Sequence, residues 1–210
     1  MSRVSVLKPG SLIRDKFGNL LDARSAVTLI TSGPRKIVVD TGLEGEEELI
    51  IKALAGQGLE PEDIDTVVNT HTHSDHCGNN HLFSKAVRLC PGEGEAIASG
   101  VFAIATPGHT LDSISVVVEA TKAVANKEAI ANKEAIVNIG ATANKAETAN
   151  VIVISGDALP TLNNFLKGVP PALHVDRSLA VSSMSRIIDI ADIVVPGHDK
   201  PFSVAEGKYI

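Results

Sequence analysis

The stretch Thr70-His71-Thr72-His73-Ser74-Asp75-His76 gathers three imidazoles and one carboxylate within six residues. Imidazole and carboxylate are the donors that borderline divalent cations prefer, and neutral histidine is the commonest protein metal ligand. His71 and His73 alternate as they would on an extended segment, so both can face one ion. Asp75 and His76 follow where the chain turns, and can aim at a second ion beside the first. The bland alternative is a polar loop whose histidines meet solvent. It is disfavoured because the chain has only seven histidines and three of them stand here. The spacing predicts a metal site. Cys77 adjoins it, but Cys77 and Cys90 are the only cysteines, and their spacing suggests neither a disulfide framework nor a thiolate zinc site. Cys77 reads as a small buried filler.

The segments on either side explain how such a cluster would be positioned. Thr66–Asn69 reads as a strand running directly into it. Val4–Leu7, Leu12–Arg14 and Ser25–Thr31 are short β-rich runs separated by Gly, Pro and Asn. Lys36–Asp40 is a near-continuous apolar strand of the kind buried on both faces. It ends in Asp40-Thr41-Gly42, where Asp40 serves as an Asx-type turn former, as a group hydrogen-bonding the ligand loop, or as both. Glu44 to Gln57 reads as a helix, with Glu46, Glu47 and Glu48 in a first turn where the backbone dipole favours acids. Leu49, Ile50, Ala53 and Leu54 form its apolar stripe. Ala86–Leu89 and Val101–Ala105 are strand-like, and the second ends in Pro107-Gly108-His109. Ser113–Glu119 and Val151–Ile154 follow, the latter ending in Gly156-Asp157. Ser178–Ile190 suits a helix, and a last strand, Asp192–Val195, ends in Pro196-Gly197-His198. Four strands thus end in His or Asp after a turn residue. In α/β folds such endings meet at one rim of the sheet.

The candidate ligands are therefore His71, His73 and His109; Asp75, His76 and His198; and Asp157, a carboxylate able to bridge two ions. All-nitrogen-and-oxygen ligation fits two Zn²⁺ first, with Mn²⁺ or Fe²⁺ accepted by the same donors. Two cations would hold a bridging water as hydroxide near neutral pH and polarise the group it attacks. The expected chemistry is hydrolysis.

His71-Thr72-His73-Ser74-Asp75-His76 matches the His-x-His-x-Asp-His signature of the metallo-β-lactamase fold superfamily. Asp40-Thr41-Gly42, Pro107-Gly108-His109, Gly156-Asp157 and Pro196-Gly197-His198 resemble its first, third, fourth and fifth motifs, in order, from about Ser25 to Phe202. The resemblance implies an α/β fold, an αββα sandwich of two mixed sheets flanked by helices, with metals at one edge. It implies that His71, His73 and His109 hold one ion, and that Asp75, His76 and His198 hold the other, with Asp157 bridging. Asp75 would also orient the hydroxide. Having both Asp75 and His76 looks like the glyoxalase II, lactonase and RNase Z side of the superfamily. His73, where flavo-diiron proteins carry Glu, is unlike those proteins. Asp192–Phe202 is similar to the ending of proteins called metallo-β-lactamase domain-containing protein 1, whose animal members are linked to RNA cleavage. Only Ser203–Ile210 follows the last motif, without the helical domain by which glyoxalase II grips glutathione. The exosite insertion and catalytic His–Glu arrangement of RNase Z are not located. The sole tyrosine, Tyr209, stands at the C-terminus, away from where acyl-homoserine-lactone hydrolases use one.

The totals limit the substrate and the setting. At 210 residues and 44% hydrophobic composition the chain suits one domain, residues 1–210, with a sizeable core. A net charge of −6 argues against loose, charge-driven binding to nucleic acid or an anionic membrane. The start carries no signal pattern and no apolar run would span a bilayer, so a cytoplasmic location is expected. Residues 124–150 stand apart: Ala-Asn-Lys-Glu-Ala-Ile occurs twice in tandem (Ala125–Ile130 and Ala131–Ile136), which reads as a duplicated insertion between two neighbouring strands. His81 reads as a surface residue. His174 and Arg177, before the last helix, are candidates to contact substrate, against a plain reading in which Asp176 or Ser178 caps that helix. The expected partner is a small-molecule or nucleic-acid ester, lactone, thioester or phosphodiester. Two rivals are a mononuclear iron sulfur dioxygenase, which resembles this chain at His71, His73, His109 and Asp157, and a binding module with a structural metal. The oligomeric state is open, a homodimer being compatible with the sequence.

Overall fold

A computed structural model describes residues 2–120, 137–139 and 150–210. The first half of the chain forms strands β1 (Ser2–Lys8), β2 (Ser11–Arg14), β3 (Leu20–Arg24), β4 (Val27–Ser32) and β5 (Arg35–Val39), then helix α1 (Glu47–Ala55), β6 (Thr66–Val68), the short helix α2 (Ser74–Cys77) and β7 (Val87–Leu89). The second half forms β8 (Ala96–Ala98), β9 (Val101–Ala105), β10 (Ile114–Ala120), β11 (Val137–Ile139), β12 (Asn150–Gly156), helices α3 (Leu162–Lys167) and α4 (Arg177–Ile190), β13 (Ile193–Pro196), β14 (Phe202–Ser203) and β15 (Lys208–Tyr209).

Side chains alternate across a strand, and here both faces of the central strands are apolar. One set, including Val4, Val6, Ile30, Ile37, Val39 and Val68, meets Val116, Val118, Ile152, Ile154 and Val195 of a second sheet. The residues between them in sequence face outward. Leu29, Val38 and Val67 pack under Ile50 and Leu54 of α1, with Phe83. Val117, Val153 and Val194 pack under Met184 and Ile187 of α4. The result is the expected αββα sandwich. Its sheets run β11-β1-β4-β5-β6-β7 and β15-β14-β13-β12-β10-β9-β8, with β2 and β3 as a separate hairpin.

Strand direction explains why the motif residues meet. β5 and β6 are parallel, so Asp40 and the histidine loop leave the first sheet on the same side. β12 and β13 are parallel too, which puts Asp157 and His198 at one edge of the second sheet. β10 runs antiparallel to both β9 and β12, so β9 ends at that edge as well and delivers Pro107-Gly108-His109 there.

Three expectations change. Helix α1 starts at Glu47 rather than Glu44, and Glu46 is not a helix-start acid on the surface. It is buried, because it pairs with Lys8 and Arg24 from two other strands. Leu49 turns to solvent while Ile50 and Leu54 are buried, since the sheet under α1 admits a narrower stripe than the sequence offers. Cys77 is half-buried rather than core: its thiol lies against the His73 carbonyl at 3.2 Å. The tandem repeats 125–136 lie outside the described residues; of the rest of the insertion 124–150, Val137–Ile139, which pairs with β1, and Asn150 are described. The strands flanking them, β10 and β12, are hydrogen-bonded neighbours. Among the described residues no helix is long and apolar enough to cross a membrane.

Ile30 is fully buried between the sheets, so Ile30→Ala should destabilise by about 2–5 kcal/mol. Leu21→Ala, at a position 65% exposed, should change stability by less than about 0.5 kcal/mol. Urea unfolding at constant m-value checks both.

Candidate metal centre

Four imidazoles of the cluster, those of His71, His76, His109 and His198, have Nδ1 held by a partner and Nε2 facing a common space. The His109 Nδ1–H donates to the Leu173 carbonyl at 2.7 Å, and the His198 Nδ1–H to the Arg24 carbonyl at 3.0 Å. Carbonyls only accept, so Nε2 of both rings carries a lone pair. The His76 Nδ1–H donates to Asp40 Oδ2 at 2.8 Å, which likewise leaves its Nε2 bare. Thr70 settles His71. Its single hydroxyl hydrogen goes to Asp40 Oδ2 at 2.8 Å, so the same oxygen can only accept from His71 Nδ1 at 3.2 Å. His71 Nε2 is then free as well. Such partners on the far nitrogen fix tautomer and ring orientation in metal-binding histidines.

The bare atoms converge. Nδ1 of His73 lies 3.1 Å from His71 Nε2 and 2.9 Å from His109 Nε2. His198 Nε2 lies 3.5 Å from Asp75 Oδ2, and His76 Nε2 lies 3.8 Å from that same oxygen. Asp157 sits between the two groups: Oδ1 is 3.3 Å from His76 Nε2 and 3.1 Å from His198 Nε2, while Oδ2 is 3.4 Å from His109 Nε2. Ligand atoms of His71, His73 and His109 lie within 4.8 Å of one another, as do those of Asp75, His76 and His198, and those of His71, His76 and Asp157. Two of these buried atoms, His76 Nε2 and Asp157 Oδ1, make no hydrogen bond. Buried polar atoms are rarely left so, and a cation between the rings would satisfy both. The residues fit a metal.

The electrostatics agree with that role. Burial, with the neighbouring charge of His76, pushes the His71 pKa down to about 2, so this imidazole stays neutral. Burial alone would lower His76 and His198, but Asp40 and Asp157 outweigh it at His76, and Asp157 outweighs it at His198; both are raised. Burial likewise opposes ionisation of Asp157, and His76 and His198 overcome it, holding its carboxyl well below the usual range. Both histidine shifts favour positive charge beside that carboxylate, the place a cation would take.

Backbone geometry lets these groups approach. Asp40 adopts a left-handed φ of 55°, which Asp tolerates better than most residues. There its Oδ1 accepts from the Thr70 amide at 2.7 Å. Gly156 has φ of 51°, and a Cβ on it would come within 2.5 Å of the Thr70 hydroxyl. Gly108 packs against the first turn of α4, where a Cβ would stand 2.2 Å from the Ala180 amide nitrogen. α4 completes this anchorage, with Ser183 donating to the Pro107 carbonyl at 2.6 Å.

All seven ligand candidates therefore come together, with Asp40 behind them. His174 and Arg177 do not. Both are exposed and neither lines the cavity: the His174 Nδ1–H turns back to the Pro171 carbonyl, and Arg177 is the first residue of α4. Asp176 is the N-cap, accepting from the Leu179 amide at 3.0 Å. His81 is a surface residue near Glu47. The sequence missed Thr70 as the group that fixes the His71 tautomer; its place, directly before the first ligand at a strand end, was the available signal. It also missed the carbonyls of Arg24 and Leu173, for which no side-chain signal exists.

Residues 22–99 match the family model of the metallo-beta-lactamase superfamily. A Methanocaldococcus jannaschii protein described as a probable metallo-hydrolase is 32% identical over 93% of this chain and 86% of its own length. The chain belongs to the metallo-beta-lactamase superfamily. It is also 32% identical to metallo-beta-lactamase domain-containing protein 1 of Mus musculus, over 87% of this chain and 65% of that protein. An N-acyl homoserine lactonase of a Bacillus species is 26% identical over 93% of this chain and 86% of its own. Among solved structures, an N-acyl homoserine lactone hydrolase superimposes with a TM-score of 0.66 at 20% identity, over 94% of this chain and 93% of that one. At that identity the likeness speaks for the fold.

Asp40→Asn should separate geometry from ligation. An amide can still accept from Thr70 N, but its NH₂ cannot accept from His76 Nδ1–H, so metal affinity should fall about 10–100-fold with an unchanged circular dichroism spectrum. Calorimetric titration of the metal-free protein reads that loss.

Proposed function

We propose that the chain is a binuclear zinc hydrolase of small carboxylic esters, lactones or thioesters that carry an apolar arm. The observation that carries the two-ion reading is the second cluster: Asp75, His76 and His198 converge beside the first, and His76 Nε2 is left without a hydrogen bond. A mononuclear site, as in the iron dioxygenase reading, would engage His71, His73, His109 and Asp157 and give His76 Nε2 no ligand role. His71, His73 and His109 would hold one ion, Asp75, His76 and His198 the other, and Asp157 both. The pair would supply a water-derived nucleophile at neutral pH and neutralise charge developing on the substrate. Asp75 stands on the first turn of α2 at the cavity wall, where its carboxylate can orient that nucleophile as well as hold an ion.

The cavity supports a small substrate. Its volume is about 270 Å³, at the low end of small-molecule sites. Beyond the ligand residues its wall is largely apolar: Leu12, Leu20 and Ala23 of the β2–β3 hairpin, Leu43, and Pro171, Ala172 and Leu173 of the loop before α4. Among the described residues Arg14 is the one Lys or Arg in that wall. A polyanion would meet little compensating charge there, whereas an acyl chain would meet leucines. Lactonases among the relatives are consistent with this choice.

A series of aryl esters and lactones of increasing acyl length tests the reading. Each methylene buried against the leucines is worth about 0.8 kcal/mol, so kcat/KM should rise about fourfold per carbon until the cavity is filled. Leu173→Ala should flatten that slope. A preference for bis-p-nitrophenyl phosphate or RNA, with no dependence on acyl length, would contradict it.

A further inference from the structure

Glu46 is buried as deeply as Asp40, 2% exposed, and it joins three separate segments. Its Oε2 accepts from the Leu43 amide at 2.9 Å, within the loop that follows Asp40. Lys8, at the end of β1, reaches its carboxylate at 2.9–3.0 Å. Arg24, at the end of β3, reaches Oε1 through Nη1 at 3.2 Å, while its Nε is held by Asp22 Oδ2 at 2.8 Å. The backbone carbonyl of Arg24 is the acceptor that orients His198. Leu43, whose amide Glu46 holds, lines the cavity.

We propose that Glu46 is a positioning residue for the His198 arm of the metal site, acting through Arg24. This rests on the two-ion reading above. The β2–β3 hairpin pairs with neither large sheet; beyond its end the Ala26 amide donates to the Gly197 carbonyl at 2.7 Å. The carboxylate of Glu46 adds a side-chain anchor at Arg24 itself. Its charge is needed as well as its shape, because without it Lys8 would lose its ion-pair partner and Arg24 one of its two beside a site that receives cations, and Lys8 is close enough to Asp75 for their charges to interact. The other cluster has no such dependence. His71 is set by Thr70 and His109 by Leu173, both on other segments.

The test is a Co²⁺ titration of the metal-free full chain, followed by visible absorption and calorimetry, for the wild type, Glu46→Gln, Arg24→Met and the double variant. Glutamine still accepts from the Leu43 amide but cannot neutralise Lys8 and Arg24. Arg24→Met keeps the carbonyl and the side-chain stem while cutting its ties to Glu46 and Asp22, and at this half-exposed position it keeps the test available should Glu46→Gln fail to fold. The wild type should bind in two steps. Each single variant should weaken the second step about 10–100-fold and leave the first unchanged, and the double variant should lose no more than the worse single one. Variants that titrate like the wild type, or that weaken both steps alike, overturn the role of Glu46. A single step in the wild type would instead sink the two-ion reading itself.

Discussion

Because Asp40 accepts from the Thr70 amide, the Thr70 hydroxyl and the His76 imidazole at once, one carboxylate fixes how the ligand loop leaves its strand. The consequence runs further than these three contacts. With the Thr70 hydrogen committed to Asp40, the oxygen can only accept from His71, so both histidines present Nε2 to the same space. A strained backbone accompanies this: Asp40 is the one non-glycine residue with positive φ among the described residues. Such conformations cost on the order of 1–3 kcal/mol and persist where the surroundings over-determine them.

The site is assembled from two sheets, and neither sheet could build it alone. Parallel pairing of β5 with β6 brings Asp40 and the histidine loop to one edge, and parallel pairing of β12 with β13 does the same for Asp157 and His198. The inner core holds the two edges in register through residues such as Val39, Val68, Ile154 and Val195, each next to or near a motif. Packing of the core and placement of the ligands are therefore one property of these strands. The remaining walls are lighter. A hairpin and the loop before α4 face each other across the cavity with leucines, Leu20 and Leu173 among them, that stay partly or largely exposed.

Much of this was legible in the sequence because the ligands sit at strand ends beside turn residues, where polar side chains have little other reason to cluster. Lys36–Asp40 and Val151–Ile154 were legible as strands from their apolar runs, but which of Ile30 and Leu29, or Ile154 and Val153, faces the other sheet was not, because both neighbours are apolar. What the sequence hid has a physical reason in each case. Glu46 stands among acids that suit a helix start, and only its distant partners Lys8 and Arg24 distinguish it from Glu47 and Glu48. His174 and Arg177 stand next to a loop that lines the cavity, but His174 turns back to Pro171 and both are exposed outside the lining. The acceptors for His109 and His198 are backbone carbonyls, which every residue has.

The central claim is that two divalent cations share Asp157. Elemental analysis of the purified protein, beside its His76→Ala variant, tests it most directly. The account predicts about two zinc per chain, falling to about one when His76 is removed, since His71, His73 and His109 remain intact. One iron per chain, retained in His76→Ala, would contradict it.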